Sequence, residues 1–228
     1  KNIGTVSARD GSFHLLIPEA NYSDTIRISM IGYESIELVS SKLHEKLETG
    51  GVLDLESSSY AIDEVVISAS ELRSKVVGNK KWSKKISAGF GEDSLGNEMG
   101  ILIKIKKRET LVKDFTFVMG RNDVDTARFR LNIYEVRNGK PHKNVLKENI
   151  IVEAYKGEEM IKTDLEKYQI MVQDDFFISL EWIEDYPDDQ IYFSASLFSK
   201  PVWARSTSQG NWSKVPFVGI GMYATIFY

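Results

Sequence analysis

The feature that most constrains the fold of this chain is a strict alternation of apolar and polar side chains over residues 126–134. Phe129, Leu131 and Ile133 occupy every second position of this stretch. The positions beside them hold polar side chains: Arg128, Arg130, Asn132 and Tyr134. Successive side chains of a β-strand point to opposite faces, so the pattern predicts a strand with one apolar and one polar face. The Asn-Gly pair at 138–139 then predicts a tight turn.

Similar alternation recurs along most of the chain and predicts an all-β fold. The later strands are expected near residues 101–105, 115–119, 150–155, 161–165, 176–182, 191–198 and 217–228. Seven or eight antiparallel strands with polar outer faces indicate a jelly-roll-like β-sandwich over residues 91–228. The one helical signal is a short turn at 41–48, where Leu43 and Leu47 are spaced i, i+4.

The first part of the chain predicts a smaller β-sandwich over residues 1–70. Asp10 and Gly11 indicate a hairpin turn that leads into a strand at 12–17. The further strands of this region are expected at 24–30, 34–40, 52–55 and 62–69.

Residues 71–90 have the composition of a linker between the two sandwiches. Serine, lysine and glycine dominate, and Lys80, Lys81, Lys84 and Lys85 surround Trp82. Trp82 has two interpretations: an anchor that docks the linker on one domain, or a platform for a sugar ring.

Several short motifs of the first 70 residues resemble those of the carboxypeptidase-regulatory-like domain, a transthyretin-like β-sandwich of the Gram-negative cell envelope. The motifs are Gly4-Thr5-Val6, Asp10-Gly11-Ser12-Phe13, Asp24 to Ser29, Ile31-Gly32-Tyr33 and Ile62-Asp63-Glu64-Val65-Val66-Ile67. The last motif is similar to the segment that leads into the plug of SusC-like TonB-dependent receptors. No plug sequence follows it here, and the family's first strand is missing before Lys1. The resemblance implies a fold without peptide hydrolysis, and an open sheet edge filled by upstream residues or another chain.

The segments at 129–141 and 161–183 resemble jelly-roll accessory domains of secreted bacterial proteins, some of which resemble carbohydrate-binding modules. A glycan would need aromatic faces for stacking and forked donors for its hydroxyls. The candidate ligand-binding residues on the polar face are Arg128, Arg130, Asn132, Tyr134, Glu181 and Tyr192. The alternative is an ordinary solvated or domain-packed face with internal Arg-Glu pairs.

The loop at 122–125 is the candidate for a structural calcium ion. Asn122, Asp123 and Asp125 offer alternate oxygen ligands, but calcium takes six or more, so these three side chains are not sufficient alone. Asn and Asp are also common turn formers. No other cofactor is expected.

Composition and motifs argue against most catalytic classes. There is no cysteine, and the three histidines lack the spacing of a zinc site. No Gly-x-Ser-x-Gly motif is present. The net charge of −4 argues against a nucleic-acid partner. Glycoside hydrolysis uses a pair of carboxylates, and the chain offers such pairs, for example Glu181 with Asp174. A glycan-acting hydrolase is therefore the less favoured alternative.

The sequence therefore predicts a non-catalytic binding or assembly protein of the periplasm, outer membrane or cell surface. Its expected partner is an envelope protein or a glycan, and the alternative function is a carbohydrate-binding module that uses the polar face of the 126–136 strand. We expect no transmembrane helix in the chain and a targeting signal outside it.

Overall fold

A computed structural model of the chain describes residues 3–58, 73–90, 95–106, 109–186 and 191–228. It confirms the all-β class, because antiparallel sheets account for most of the regular structure. Within these residues no helix is both long and apolar enough to cross a membrane. The finer assignments, a transthyretin-like first domain and a jelly-roll second domain, remain predictions.

The N-terminal region, residues 3–58, contains two short strands and one α-helix. In chain order these are a 3-10 turn at Glu19–Asn21, β1 at Thr25–Ile28, β2 at Ile36–Val39 and α1 at Ser40–Glu48. The helix agrees with the predicted turn at 41–48, and β1 pairs with β2 in an antiparallel hairpin. The Asp10-Gly11 turn also forms, since the Ala8 amide donates to the Ser12 carbonyl at 2.8 Å.

The remaining described residues form the sandwich, with fifteen strands in two sheets. Its first strands are β3 at Ser74–Asn79, β4 at Ser83–Gly89, β5 at Glu98–Ile103, β6 at Thr110–Asn122, β7 at Thr126–Arg137, β8 at Lys140–Asn144, β9 at Ile150–Tyr155 and β10 at Met160–Asp164. A 3-10 turn at Glu166–Tyr168 follows, and then β11 at Met171–Val172, β12 at Phe176–Trp182, β13 at Ile191–Leu197, β14 at Val202–Arg205, β15 at Ser213–Val215, β16 at Val218–Ile220 and β17 at Met222–Phe227.

One sheet of the sandwich is built around the long strand β6, and the other around β7 and β12. The first has the order β16-β13-β6-β17-β3, with β10 and β11 also on β6 and β4 on β13. The second has the order β15-β14-β5-β12-β7-β8, with β9 also on β7. A long strand offers room for two shorter partners along one edge, so the number of strands exceeds the seven or eight that alternation predicted.

The core lies between these two sheets and is rich in aromatic side chains. Phe115, Phe117, Phe129 and Phe193 are fully buried. Phe129 meets Phe117 edge-on with ring centroids 6.0 Å apart, and it lies 5.8 Å from Phe193. Such packing stabilises beyond the burial of area alone. The alternation of residues 129–133 therefore predicted the core face of β7 correctly.

The N-terminal region has almost no core of its own. Val6 and Leu43 are the buried hydrophobic side chains among residues 3–58. Eight large hydrophobic residues of the same stretch are exposed: Ile3, Phe13, Leu16, Tyr22, Met30, Tyr33, Val39 and Val52. A two-stranded hairpin is marginal by itself in water, so the region depends on what it packs against.

Two predictions about local structure need correction. Residues 71–90 were expected to form a linker, but β3 pairs with β17 and β4 pairs with β13 inside the sandwich. Hydrogen bonding to distant strands overrides the lysine-rich composition there. The strands expected at 12–17 and 52–55 do not form, and the isolated bridge between Tyr33 and Ser57 lies outside both stretches. The strand expected at 62–69 lies outside the described residues.

The N-terminal region rests on the second sheet and on the loop after β14, residues 206–212. A Cβ atom added to Gly4 would lie 2.5 Å from the Thr207 hydroxyl oxygen. Ser29 accepts a hydrogen bond from Gln209 in the same loop. Farther along the chain, the Arg9 guanidinium lies 3.6 Å from a Glu184 oxygen.

The Ile-Gly-Tyr motif of the resemblance lies at this junction. Gly32 has a positive φ of 86°, and an added Cβ would lie 2.7 Å from the Lys147 carbonyl oxygen. Both facts favour glycine there, since other residues rarely adopt this conformation and a side chain would clash. Ile31 packs against the sandwich core. The motif thus joins the two regions in this chain.

Candidate functional site

Four charged side chains lie in one row across the outer face of the second sheet. Strand register places Arg205 of β14 opposite Glu98 of β5, Glu98 opposite Glu181 of β12, and Glu181 opposite Arg130 of β7. We call these four residues the charged row. Its order of signs is plus, minus, minus, plus, so each carboxylate has a cation on its outer side.

Both ends of the charged row are ion pairs. Arg130 donates from Nη1 to Oε2 of Glu181 at 3.0 Å, and Arg205 contacts Oε2 of Glu98. Asn132 spans the centre, because its Nδ2 lies 3.0 Å from Glu98 and 3.3 Å from Glu181. One amide therefore offsets part of the repulsion between the two neighbouring carboxylates.

Further polar side chains complete the hydrogen bonding around Glu98. The Tyr134 hydroxyl donates to Glu98 at 3.1 Å and accepts from Arg205 Nη2, also at 3.1 Å. Ser179 donates its hydroxyl to the same carboxylate. Asn144 of β8 fixes Asn132 by donating to its amide oxygen at 2.9 Å. These contacts extend the network over five strands.

The network is closed off from water. The side chains of Glu98 and Glu181 are 0% and 3% exposed, and that of Arg205 is 9% exposed. Trp212 covers one side, with its ring 5.9 Å from that of Tyr134 and 4.8 Å from that of Phe177. The Arg205 guanidinium lies 4.9 Å from the same indole, a cation–π contact. Among the four side chains of the charged row, only Arg130 is appreciably accessible, with 23% of its side chain exposed.

Burial shifts the protonation of this network. Desolvation raises the pKa of Glu98 above its ordinary value of 4.5, and the neighbouring Glu181 carboxylate adds to the rise while Arg205 opposes it. The pKa of Tyr134 is also raised well above 10.0, again mainly by burial. Burial and the second carboxylate thus both favour the neutral form of Glu98, whereas Arg205 favours the charged form.

Three polar atoms of the charged row are buried without a hydrogen-bond partner. They are Arg130 Nε, Glu181 Oε1 and Arg205 Nε. Unsatisfied polar atoms in a buried network cost free energy, so part of the stabilisation from the ion pairs of the row is offset. A one-residue slip of β5, β12 or β14 would separate these partners, so the row favours the register that the sheet has.

The structure brings four of the six candidate ligand-binding residues together. Arg130, Asn132, Tyr134 and Glu181 belong to the network described above. Tyr192 does not, because it lies on β13 in the other sheet, opposite Gly89 and Arg121.

Arg128 lies on the same face but binds a separate pair of acids. Its Nε is 2.7 Å from Glu153, and its Nη1 is 3.1 Å from Glu184. The Arg128 hydrogen bond lowers the pKa of Glu153. Tyr186 donates to Glu184 at 2.8 Å, and its partial burial raises its pKa to about 12.

Two of the three proposed calcium ligands, Asn122 and Asp123, have side-chain partners within the chain. Asn122 donates to the Ala154 carbonyl at 3.0 Å and accepts from the Val124 amide at 3.3 Å. Asp123 pairs with Arg121 at 2.8 Å. Across the described part of the chain, no group of three His, Cys, Asp or Glu side chains is placed to hold a metal. The calcium site stays a prediction, and these contacts do not add to it.

Sequence reasoning missed Glu98, Ser179, Arg205 and Trp212. A local signal existed for Glu98 and Arg205, since each lies next to a core-facing residue of its strand, the buried Met99 and the partly buried Ala204 respectively. Their meeting depends on the register of β5, β12 and β14, which are far apart in the chain. Local periodicity does not carry that information.

Comparison with protein-family models, curated proteins and solved structures finds no match to this chain.

Proposed function

We propose that the chain is a non-catalytic binding or assembly protein of the cell envelope, in which the sandwich is a rigid platform and the N-terminal region receives a strand from a partner protein. The observation that carries the proposal is the contrast within residues 3–58 between two buried and eight exposed large hydrophobic side chains. An excess of exposed over buried large apolar side chains favours a region that completes its packing against a partner.

The hairpin of β1 and β2 supports strand addition as the mode of binding. Among the described residues, these two strands pair only with each other. An outer edge of such a hairpin presents backbone donors and acceptors that an extended peptide can satisfy. The envelope location rests on the resemblance of the Ile-Gly-Tyr and neighbouring motifs to the carboxypeptidase-regulatory-like domain.

The charged row supports a structural rather than a catalytic role for its acids. Glycoside hydrolysis needs two carboxylates on opposite sides of an accessible substrate. Glu98 and Glu181 are cross-strand neighbours buried beneath the loop at 206–212. Their burial favours the binding and assembly role over the hydrolase.

Carbohydrate binding on the polar face of β7 stays the alternative. A sugar there would have to compete with Glu181 for Arg130 and with Glu98 for Tyr134. Titration calorimetry of the full chain against neutral and acidic glycans distinguishes the alternatives. Saturable binding that is lost in Arg130→Ala favours the carbohydrate module, and its absence across the panel favours the assembly role.

Photo-crosslinking at the hairpin edge tests the assembly role directly. A photoreactive amino acid at Thr25 on β1 is compared with one at Lys156, in an exposed turn of the sandwich, in cells that make the protein. We expect one discrete cross-linked product from Thr25 in the envelope fraction and none from Lys156. Identical patterns at the two positions, or a chain found outside the envelope fraction, contradict the proposal.

A further inference from the structure

Two phenylalanines project from one end of the sandwich in an unfavourable state. Phe198 is 85% exposed and Phe217 is 66% exposed, and both have positive φ values, 53° and 65°. Bulky residues rarely adopt this left-handed conformation. Neither the exposure nor the backbone conformation stabilises the fold. The two side chains are therefore candidates for a role in binding.

The two phenylalanines form one apolar tip. The Phe198 amide donates to the Phe217 carbonyl at 2.7 Å, and the rings meet edge-on at 6.2 Å. Leu197 and Val215 beside them are also exposed. We call these four residues the aromatic tip. It joins the turn after β13 to the turn after β15.

A third connection, residues 80–82 between β3 and β4, lies at the same end of the molecule. Ser196 donates its hydroxyl to the Lys81 carbonyl at 2.7 Å, and Lys200 donates to the Gly78 carbonyl at 3.0 Å. An added Cβ on Gly221 would lie 3.1 Å from the Trp82 indole. Trp82 therefore anchors this lysine-rich turn beside the aromatic tip, which agrees with the first of its two interpretations.

The two stretches that build this end carry positive charge alone. Residues 73–90 contain six lysines and arginines, residues 191–228 contain three, and neither stretch contains an aspartate or glutamate. Three of these cations do not add to the charge at this end, because Arg205 is buried against Glu98 in the charged row, Lys84 pairs with Glu159 on β10, and Arg73 lies at the other end of β3. The cations beside the aromatic tip are therefore chiefly Lys80, Lys81 and Lys200. This local charge contrasts with the net charge of −4 for the whole chain.

We propose that the aromatic tip docks on an anionic lipid surface. Exposed aromatic and aliphatic side chains surrounded by lysines are the combination that binds the membrane interface, because the apolar groups enter the headgroup boundary while the cations attract acidic lipids. Projecting loop tips suit insertion into lipid better than they suit a flat protein interface. The inference does not depend on the strand-addition function, since it concerns the opposite region of the chain.

Sedimentation with vesicles tests the docking. The full chain is mixed with vesicles of phosphatidylglycerol and phosphatidylcholine in equal parts, and with vesicles of phosphatidylcholine alone. We expect binding to the first that weakens as salt is raised, and little binding to the second. Phe198→Asn with Phe217→Asn should weaken binding by roughly tenfold for each phenylalanine. Asn tolerates positive φ, so the thermal midpoint should stay the same or rise.

Matched control variants distinguish docking through the aromatic tip from nonspecific adsorption to vesicles. Leu16→Asn removes an equally exposed apolar side chain from the N-terminal region and should leave vesicle binding unchanged. Lys80→Gln with Lys81→Gln should weaken binding by about fivefold for each lysine. Lys140→Gln with Lys143→Gln, on the hairpin of β7 and β8, should have little effect.

Three outcomes overturn the proposal. One is no binding of the unaltered chain to the anionic vesicles, and another is binding that the Phe-to-Asn variant retains. The third is binding to soluble dextran sulfate that competes with vesicles and does not need the phenylalanines, which indicates a polyanion site instead. If the Asn variant fails to fold, Phe198→Trp decides: we expect its emission to shift to the blue and to be quenched by brominated lipid, and an unchanged spectrum contradicts insertion.

Discussion

The N-terminal region and the sandwich share an alternating β pattern but differ in what that pattern achieves. In the sandwich, alternation buries Phe129 and Phe193 between two stacked sheets. In residues 3–58, β1 and β2 alternate between exposed and half-buried positions and bury no side chain fully. The difference shows that alternation yields a core only where a second layer covers the apolar face.

The contact between the two regions follows from this contrast. The N-terminal region approaches the sandwich closely through Gly4 and Gly32, and it contributes Ile31 to the sandwich core. Its stability therefore depends on docking, whereas the sandwich has a core of its own. Sub-global opening of a weakly packed region is expected at lower free energy than global unfolding.

The largest expected effect is on the sandwich core. Phe129→Ala should lower the free energy of global unfolding by roughly 4 kcal/mol, because it removes a fully buried ring that contacts Phe117 and Phe193. Urea unfolding followed by tryptophan fluorescence measures it. A loss below about 1 kcal/mol would contradict the central place of this ring.

The charged row gives the next effect. Arg205→Met should cost about 3 kcal/mol, because it leaves Glu98 buried next to Glu181 without the cation that pairs with it. Adding Glu98→Gln should restore part of the loss, since the remaining acid is then paired with Arg130. A double-mutant cycle by urea unfolding measures the coupling, and additive losses would argue against a coupled row.

Leu43→Ala should destabilise the N-terminal region without destabilising the sandwich. Leu43 is 2% exposed and is one of the two buried hydrophobic residues described in the N-terminal region. We expect a loss of about 2 kcal/mol in the opening of that region, with no change in the unfolding of the sandwich. Limited proteolysis should therefore cleave residues 3–58 faster and leave the sandwich resistant. Equal destabilisation of both regions would show that they unfold as one unit.

The smallest effect is a pH dependence. The folded pKa of Glu98 lies above its ordinary value of 4.5, so in the interval between the two values the folded chain keeps a proton that the unfolded chain has lost. Glu98 therefore makes its full contribution to the free energy of unfolding below about pH 4.5, and this contribution is lost as the pH rises through the folded pKa. The loss is at most about 1.4 kcal/mol per pH unit. The stability difference between the unaltered chain and Glu98→Gln should fall over this range, and a flat or rising difference contradicts the shift.

The parts of the fold that the sequence predicted are those that depend on local period. Phe129, Leu131 and Ile133 were assigned to a core face, and residues 41–48 to a helical turn, because period and spacing act over a few residues. The assignment of residues 71–90 to a linker failed for the complementary reason. The lysines of β3 and β4 obscure the apolar alternation of a strand, yet the backbone of β3 pairs with β17 and that of β4 pairs with β13.

Four members of the candidate site were predicted from the sequence: Arg130, Asn132, Tyr134 and Glu181. Arg130, Asn132 and Tyr134 share one strand, so alternation alone placed them on one face. Glu98 and Arg205 joined them through strand register, which pairs residues about a hundred positions apart. Burial of that face was also beyond local prediction, since Trp212, which covers Tyr134, lies far from β7 in the chain.

Residue-resolved hydrogen exchange of the full chain tests most directly the claim that a self-sufficient sandwich carries a dependent N-terminal region. We expect amides of β6, β7 and β12 to exchange only through global unfolding. Amides of β1 and β2 should exchange through a local opening of much lower free energy, which Leu43→Ala lowers further. Equal protection of the hairpin and the sandwich strands would contradict it, and would show that residues 3–58 fold as part of the same cooperative unit.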